Sequence, residues 1–225
     1  MMTNLFSAFD PSTSVNLSLN WLSTMIMIMI MPYMYWSTPS RYEVFMYIIK
    51  NNMTNEFKMI INKNKGFLIM FFSMFMFILW NNIMGLMPYV FTSSSHLVFS
   101  LSMALPIWMS MMIFGWTKKT QSMFSHLIPM GTPTILMPFM VCIETISNLI
   151  RPGSLAVRLM ANMIAGHLLM SLLGNNIYSS TIMISLIMII QIILMMFEMA
   201  VSIIQAYVFS ILSTLYSSEV MYENN

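Results

Sequence analysis

Residues 66 to 117 read GFLIMFFSMFMFILWNNIMGLMPYVFTSSSHLVFSLSMALPIWMSMMIFGWT, 52 residues without an Asp, Glu, Lys or Arg. A helix rises about 1.5 Å per residue and a bilayer core is about 30 Å thick, so one crossing takes about 20 residues. The run therefore holds two crossings, divided where Gly85, Pro88 and Ser93-Ser94-Ser95 interrupt it. Lys118 and Lys119 close the second. The whole chain shares this character: it is 58% hydrophobic and 7% charged, with a mean hydropathy of +0.78. Soluble domains carry about 25% charged residues. A water-soluble monomer is excluded, because 9 Lys+Arg and 7 Asp+Glu cannot cover a 225-residue globule. The expected fold is an all-α polytopic membrane protein of about five membrane-embedded helices, with one amphipathic surface helix and a long tilted helical hairpin at the end. One Cys excludes a disulfide framework or a Cys-based metal site within the chain, and a net charge of +2 gives no reason to expect nucleic acid as a partner. No cofactor or metal is expected.

Upstream of the run, Pro11 to Ser40 carries no charge, and Tyr33, Tyr35 and Trp36 follow the apolar part as an interfacial aromatic belt would. A first span is expected over about residues 15–36. Residues 41–65 mix Lys50, Lys58, Lys63, Lys65, Glu43 and Glu56 with Phe45, Ile49, Met53, Phe57 and Ile60. The apolar residues recur at three- and four-residue steps, so this segment is expected to lie on the membrane surface. The next spans fall at about 66–87 and 97–117, completing an N-terminal region 1–130. Lys and Arg mark the side of synthesis, and the 41–65 segment and the Lys118-Lys119 pair come out on one side. The N-terminus and the Pro88 to Ser95 turn then face the other. Residues 1–14 hold Asp10 and no Lys or Arg, unlike a transit or signal peptide.

The C-terminal region, 131–225, reads as two long helices, about 134–173 and 181–217, joined by the polar turn Gly174 to Ser180. Each exceeds a perpendicular crossing, so each must tilt or bend, with Pro152-Gly153 the obvious bending point of the first. Within this apolar hairpin sit Glu144, Arg151, Arg158, Asn162, His167, Glu198, Gln205 and, near the end, Glu219. Ionisable groups at membrane depth cost several kcal/mol and by default mark an ion or proton route. Glu144, Arg151 and Arg158 are spaced by sevens and stay near one helical face, with Asn162 one turn beyond Arg158. His167 projects from the opposite face. Antiparallel helices pair residues whose numbers have a nearly constant sum. One register then pairs Glu144 with Glu219, Arg158 with Gln205, and His167 with Glu198. Glu144 and Glu219 fall toward the Lys-rich side, His167 and Glu198 toward the other, and the permanently charged Arg158 between them. That is the layout of two offset half-channels separated by a fixed cation.

The stretch Pro138-Phe139-Met140-Val141-Cys142-Ile143-Glu144-Thr145-Ile146-Ser147, followed by Arg151-Pro152-Gly153-Ser154-Leu155-Ala156-Val157-Arg158-Leu159-Met160-Ala161-Asn162-Met163-Ile164-Ala165-Gly166-His167, resembles subunit a of mitochondrial F-type ATP synthases. So do Phe197-Glu198-Met199-Ala200-Val201 and the run Ile204-Gln205-Ala206-Tyr207-Val208-Phe209 through Ser213-Thr214-Leu215-Tyr216. Upstream, Gly85-Leu86-Met87-Pro88-Tyr89 and Ala104-Leu105-Pro106-Ile107-Trp108 are similar to the family as well. The resemblance implies a stator subunit of the mitochondrial inner membrane, facing a ring of c subunits and touching other Fo and peripheral-stalk subunits and the lipid bilayer. Protons are the transported ion, and the chain does no bond chemistry of its own. The family's orientation implies an N-terminus toward the intermembrane space and a C-terminus toward the matrix. The position matching Arg158 faces the c-ring, with Asn162 and Gln205 as its polar support. Those matching His167 and Glu198 belong to the half-channel from the intermembrane space, and those matching Glu144 and Glu219 to the matrix half-channel. Arg151 departs from the family, which often has an uncharged residue before the proline, and Met160 stands where a small polar residue is common. The 32 Met, scattered through apolar sequence, resemble the codon drift of animal mitochondrial genomes.

Plainer readings stand beside these. Arg151 reads equally as a helix-end cation whose stem snorkels, and Glu219 as an interfacial carboxylate. His96 and His126 lie in connections and receive no role. A purely structural hydrophobic subunit of a respiratory complex is the alternative function. A secondary transporter would repeat its broken helices in both halves, whereas the buried charge here is confined to one terminal hairpin.

Overall fold

The computed structural model describes residues 4–14, 17–32, 35–61, 65–128, 133–175 and 181–221. The described residues are helical, with an isolated bridge between Ser14 and Leu17 and no strand. Tyr33, Lys63, most of the hairpin turn (176–180) and the last four residues lie outside them.

The expected first span is shorter than its sequence suggested. A 3-10 helix, Leu19–Met25, runs into α1, Ile26–Ile30. At about 1.5–2 Å per residue these twelve residues fall short of a 30 Å core. Four helices among the described residues are long and apolar enough to cross a membrane: Gly66–Gly85, Leu97–Lys118, Met137–Asn175 and Ile184–Val220. Helices also cover Arg41–Ile60 and, in the polar connection, Thr120–His126.

α2, Arg41–Ile60, begins at a capping box. Ser40 Oγ accepts the Glu43 backbone N–H at 3.3 Å, and Glu43 Oε2 accepts the Ser40 N–H at 2.6 Å. Two of the N–H groups that every helix start leaves orphaned are thereby satisfied. Its buried residues are Met46, Met53 and Phe57, one stripe at helical spacing, and they pack into the core formed with α3, Lys65–Gly85. Tyr207 donates to Glu56 Oε2 at 2.9 Å and ties α2 to the hairpin.

α4, Leu97–Lys118, α5, Thr120–His126, α6, Met137–Asn175, and α7, Thr181–Met221, follow. The long helices α6 and α7 would each measure about 60 Å at 1.5 Å per residue, twice a bilayer core, so they cannot both stay within it and stand upright. α6 runs unbroken through Pro152, which is buried, and Gly153. Pro152 lacks the N–H that would bond back one turn, yet no helix end forms there.

α7 packs chiefly against α3, and α6 against α4, with the hairpin's own contact the smaller one. The α7 face toward the core is small and weakly polar: Ser202, Ala206, Ser210, Ser213, Thr214 and Ser217 are all buried. Each of these hydroxyls donates to the carbonyl three residues back, so it brings no unsatisfied donor. Small side chains let two backbones approach closely, which is how helices associate where water cannot drive them together. α3 supplies the large partners, with Phe71, Phe75 and Ile78 buried on one face.

Candidate functional site

Glu144, Arg151 and Arg158 lie on α6, but they do not share one fate. Arg151 is joined to both acids. Its Nη1 is 2.7 Å from Glu219 Oε2 on α7, and its Nη2 is 3.8 Å from Glu144 Oε1, two turns back on α6. The guanidinium also lies 5.0 Å from the centroid of the Tyr216 ring, a cation–π contact from α7. The register anticipated a Glu144–Glu219 pair, which would set two like charges together. The structure inserts Arg151 between them. These side chains line a cavity of about 520 Å³ together with Asn148, Trp108 and Met123. Lys119 Nζ donates to the Val220 carbonyl at 3.0 Å, so the cavity opens at the Lys118-Lys119 end of the bundle. Asn148 escaped the sequence reading, although its place one turn from both Glu144 and Arg151 was a usable signal.

The middle of the hairpin holds a second correction. Gln205 accepts from Asn162 Nδ2 at 3.2 Å, not from Arg158. Arg158 is exposed and has no hydrogen-bond or ion-pair partner among the described residues. It stands on the α6 face that also carries Val157, Ala161, Ala165 and Leu169, all exposed. The opposite face, with Leu155, Ala156, Leu159, Met163 and Gly166, is buried. On α7, Ile189, Ile193, Met196, Ile203 and Tyr207 are exposed at three- to seven-residue steps. The hairpin thus presents a broad apolar surface with one cation in it.

His167 is half-buried and turned toward α3, with its ring beside the Gly85 backbone. Nε2 is buried and has no partner among the described residues. Phe9, from the N-terminal 3-10 helix Leu5–Phe9, meets the imidazole edge-on with centroids 6.1 Å apart. Glu198 on α7 is 7% exposed, and its carboxylate lies against Gly166, where any Cβ would collide with it. Glu198 therefore packs on the residue beside His167, and no hydrogen bond joins the two side chains among the described residues. This end is opposite the Arg151 cavity, because Gly85 closes α3 while Lys65 opens it.

Buried polar residues near this end, Asn81, Asn82, Ser93 and Ser94, received no functional role from the sequence. Asn82 donates to the Ser202 carbonyl at 3.4 Å, and Ser93 Oγ to Asn81 Oδ1 at 3.4 Å. Asn82 Oδ1, Ser94 Oγ, His96 Nε2 and Gln205 Nε2 are buried without a partner among the described residues. Each such orphan costs about 1–3 kcal/mol unless water reaches it, and a cluster of them makes a wettable interior. Two adjacent Asn inside a charge-free run were the available clue. Among the described residues no group of three or more His, Cys, Asp or Glu could hold a metal ion.

Residues 17–218 match the family described as ATP synthase A chain. The chain belongs to the ATP synthase A chain family. Subunit a of Aedes aegypti ATP synthase is 58% identical over 225 residues, covering 98% of this chain and 100% of its relative. The subunits a of Drosophila yakuba and Anopheles quadrimaculatus are 57% and 56% identical over the same shares of both chains. The residues of the site lie inside the matched region except Phe9 and, one and two positions beyond it, Glu219 and Val220. As a member of the ATP synthase A chain family, the chain is a non-catalytic, multi-pass membrane subunit.

Proposed function

We propose that this chain is the proton-conducting stator subunit of a mitochondrial ATP synthase, set in the inner membrane against a ring of c subunits. The observation that carries the reading is Arg158, an exposed cation without a partner among the described residues, in the middle of an apolar helix face. A permanent charge on a surface that would otherwise meet lipid is expensive, and an acidic group on a neighbouring membrane protein removes the expense. A ring carboxylate facing lipid is neutral, because an ion is poorly solvated there; opposite Arg158 its ionised form is favoured. The ring therefore exchanges its proton at this interface and cannot carry a bare anion into lipid. Arg158 also repels protons, so they pass only by way of the ring. The pocket of His167, Glu198 and the buried Asn and Ser groups is the inlet from the intermembrane space. The cavity of Glu144, Arg151 and Glu219 is the outlet to the matrix, with the Lys-rich connections on that side. Asn162 and Gln205 hold the polar ground between them. Each proton that crosses contributes about 2.3 kcal/mol per 100 mV of potential, delivered as rotation.

The deciding experiment replaces Arg158 with Ala in the assembled synthase, reconstituted in vesicles. Loss of coupled proton transport with an intact complex is expected. Normal ATP synthesis in that variant would overturn the reading.

A further inference from the structure

Arg151 lies in the proposed outlet, yet the two-channel reading gives it no task of its own. It touches Glu219 at 2.7 Å, Glu144 at 3.8 Å and the Tyr216 ring at 5.0 Å to the centroid, at the edge of an open cavity of about 520 Å³. Two carboxylates converging on one point from two helices form the beginnings of a site for a hard divalent cation, which takes carboxylate oxygens as ligands. Arg151 stands at that point. It is always charged, so it never competes with the acids for protons, and its stacking on Tyr216 holds the planar guanidinium in place. Its two terminal nitrogens face different acids, so one cation covers both.

We propose that Arg151 is a specificity-determining residue of the outlet: a tethered cation that fills the place a metal ion would take between Glu144 and Glu219. The two acids remain open to protons on their outer oxygens while divalent cations are kept out. The Glu144, Glu219 and Arg151 side chains sum to minus one, and to minus two without Arg151. The groups facing it from the packed elements are Trp108 and Met111 of α4, Met123 of α5 and Asn148 of α6, none of them ionisable, and Lys119 stands at the rim, bound to the Val220 carbonyl. The inference rests on the proposed function, which makes this cavity a proton route.

The test uses the intact synthase in vesicles with its ATP-hydrolysing face outward. Mg-ATP is held constant and free Mg²⁺ is raised. The readout is the rate of proton pumping divided by the rate of ATP hydrolysis by the detached catalytic head under the same conditions, a ratio that cancels effects of Mg²⁺ on hydrolysis. Arg151→Gln is expected to lose this ratio at free Mg²⁺ at least about tenfold lower than the native enzyme, as removing a contacting charge demands. Addition of EDTA restores it, and Arg151→Lys, which keeps the charge but not the two-pronged fork, falls between the two. Superimposable Mg²⁺ curves for Arg151→Gln and the native enzyme overturn the inference, and so does a loss that chelation does not reverse. If Arg151→Gln does not assemble, Glu219→Gln decides: with one acid gone its tolerance should equal or exceed the native one, and greater sensitivity overturns the inference. The Arg158→Ala variant, run in parallel, tests the underlying reading separately. Normal pumping there removes the proton route, whereas blocked pumping together with native Mg²⁺ tolerance in Arg151→Gln removes only the role of Arg151.

Discussion

The Glu198 carboxylate lies directly against Gly166, so closely that the smallest side chain would strike it. α6 and α7 thus meet at a glycine where α7 brings in a buried acid, and the acid reaches the neighbourhood of His167 only because nothing projects from position 166. Gly166→Ala is expected to push the Glu198 side chain aside and slow proton transport several-fold, while the complex still assembles. Proton uptake per assembled synthase, with subunit content measured by gel, checks this. Unchanged uptake would show that the close approach is not needed.

Asn162 and Gln205 form a hydrogen bond of 3.2 Å across the hairpin. Interhelical hydrogen bonds in membranes average about 0.6 kcal/mol by double-mutant cycles. Asn162→Ala and Gln205→Ala should therefore be non-additive by about that amount. Unfolding in mixed micelles measures it, and strict additivity would deny the contact.

Phe9 covers one edge of the His167 ring from outside the hairpin. Phe9→Ala should open that ring to water. Modification of His167 by diethyl pyrocarbonate, followed by mass spectrometry, should become faster. An unchanged rate would mean that the N-terminal 3-10 helix does not shield the pocket.

Ser40 and Glu43 satisfy each other's backbone groups at the start of α2. Ser40→Ala removes the acceptor for the Glu43 N–H and should cost about 1 kcal/mol of local helix stability. Hydrogen exchange of the first turn of α2 should quicken by a factor of about five, with α3 unaffected. Exchange that quickens equally in both helices would instead point to global loosening.

Much of the fold was legible without coordinates because a membrane leaves the backbone few choices. A charge-free run of this length must be helical and must cross twice, since unpaired N–H and C=O groups have no water to meet. The boundaries near Gly85, Leu97 and Lys118 follow from the same constraint. The first segment was less legible. Residues 15–36 have the composition of a span, but among those described only Leu19–Ile30 are helical, and the first seven of them are in the tighter 3-10 form. Hydropathy measures preference for lipid, not whether a stretch holds one helix.

The residues of the site were visible because charge is rare here, and each ionisable group within the last third stood out. Their partners were less visible. A constant-sum register treats the two helices as parallel rods, whereas the contacts drift along the hairpin. Arg151 meets Glu219 at one end, Asn162 meets Gln205 in the middle, and Gly166 meets Glu198 at the other. Such a drift is what two crossing helices produce, each held more by another neighbour than by its partner in the hairpin.

By itself the sequence determined that this is a helical membrane protein and that most of the ionisable groups within its apolar helices lie in the terminal hairpin. Composition and periodicity decide these, since burying charge in lipid costs the same in any fold. Only the tertiary structure decided which charges are matched. Arg151 and Arg158 are both arginines on one helix, seven residues apart. One is held between two acids and an aromatic ring, and the other faces outward with no partner among the described residues. That difference depends on where α7 and its Glu219 come to lie, a long-range packing outcome that no local spacing encodes.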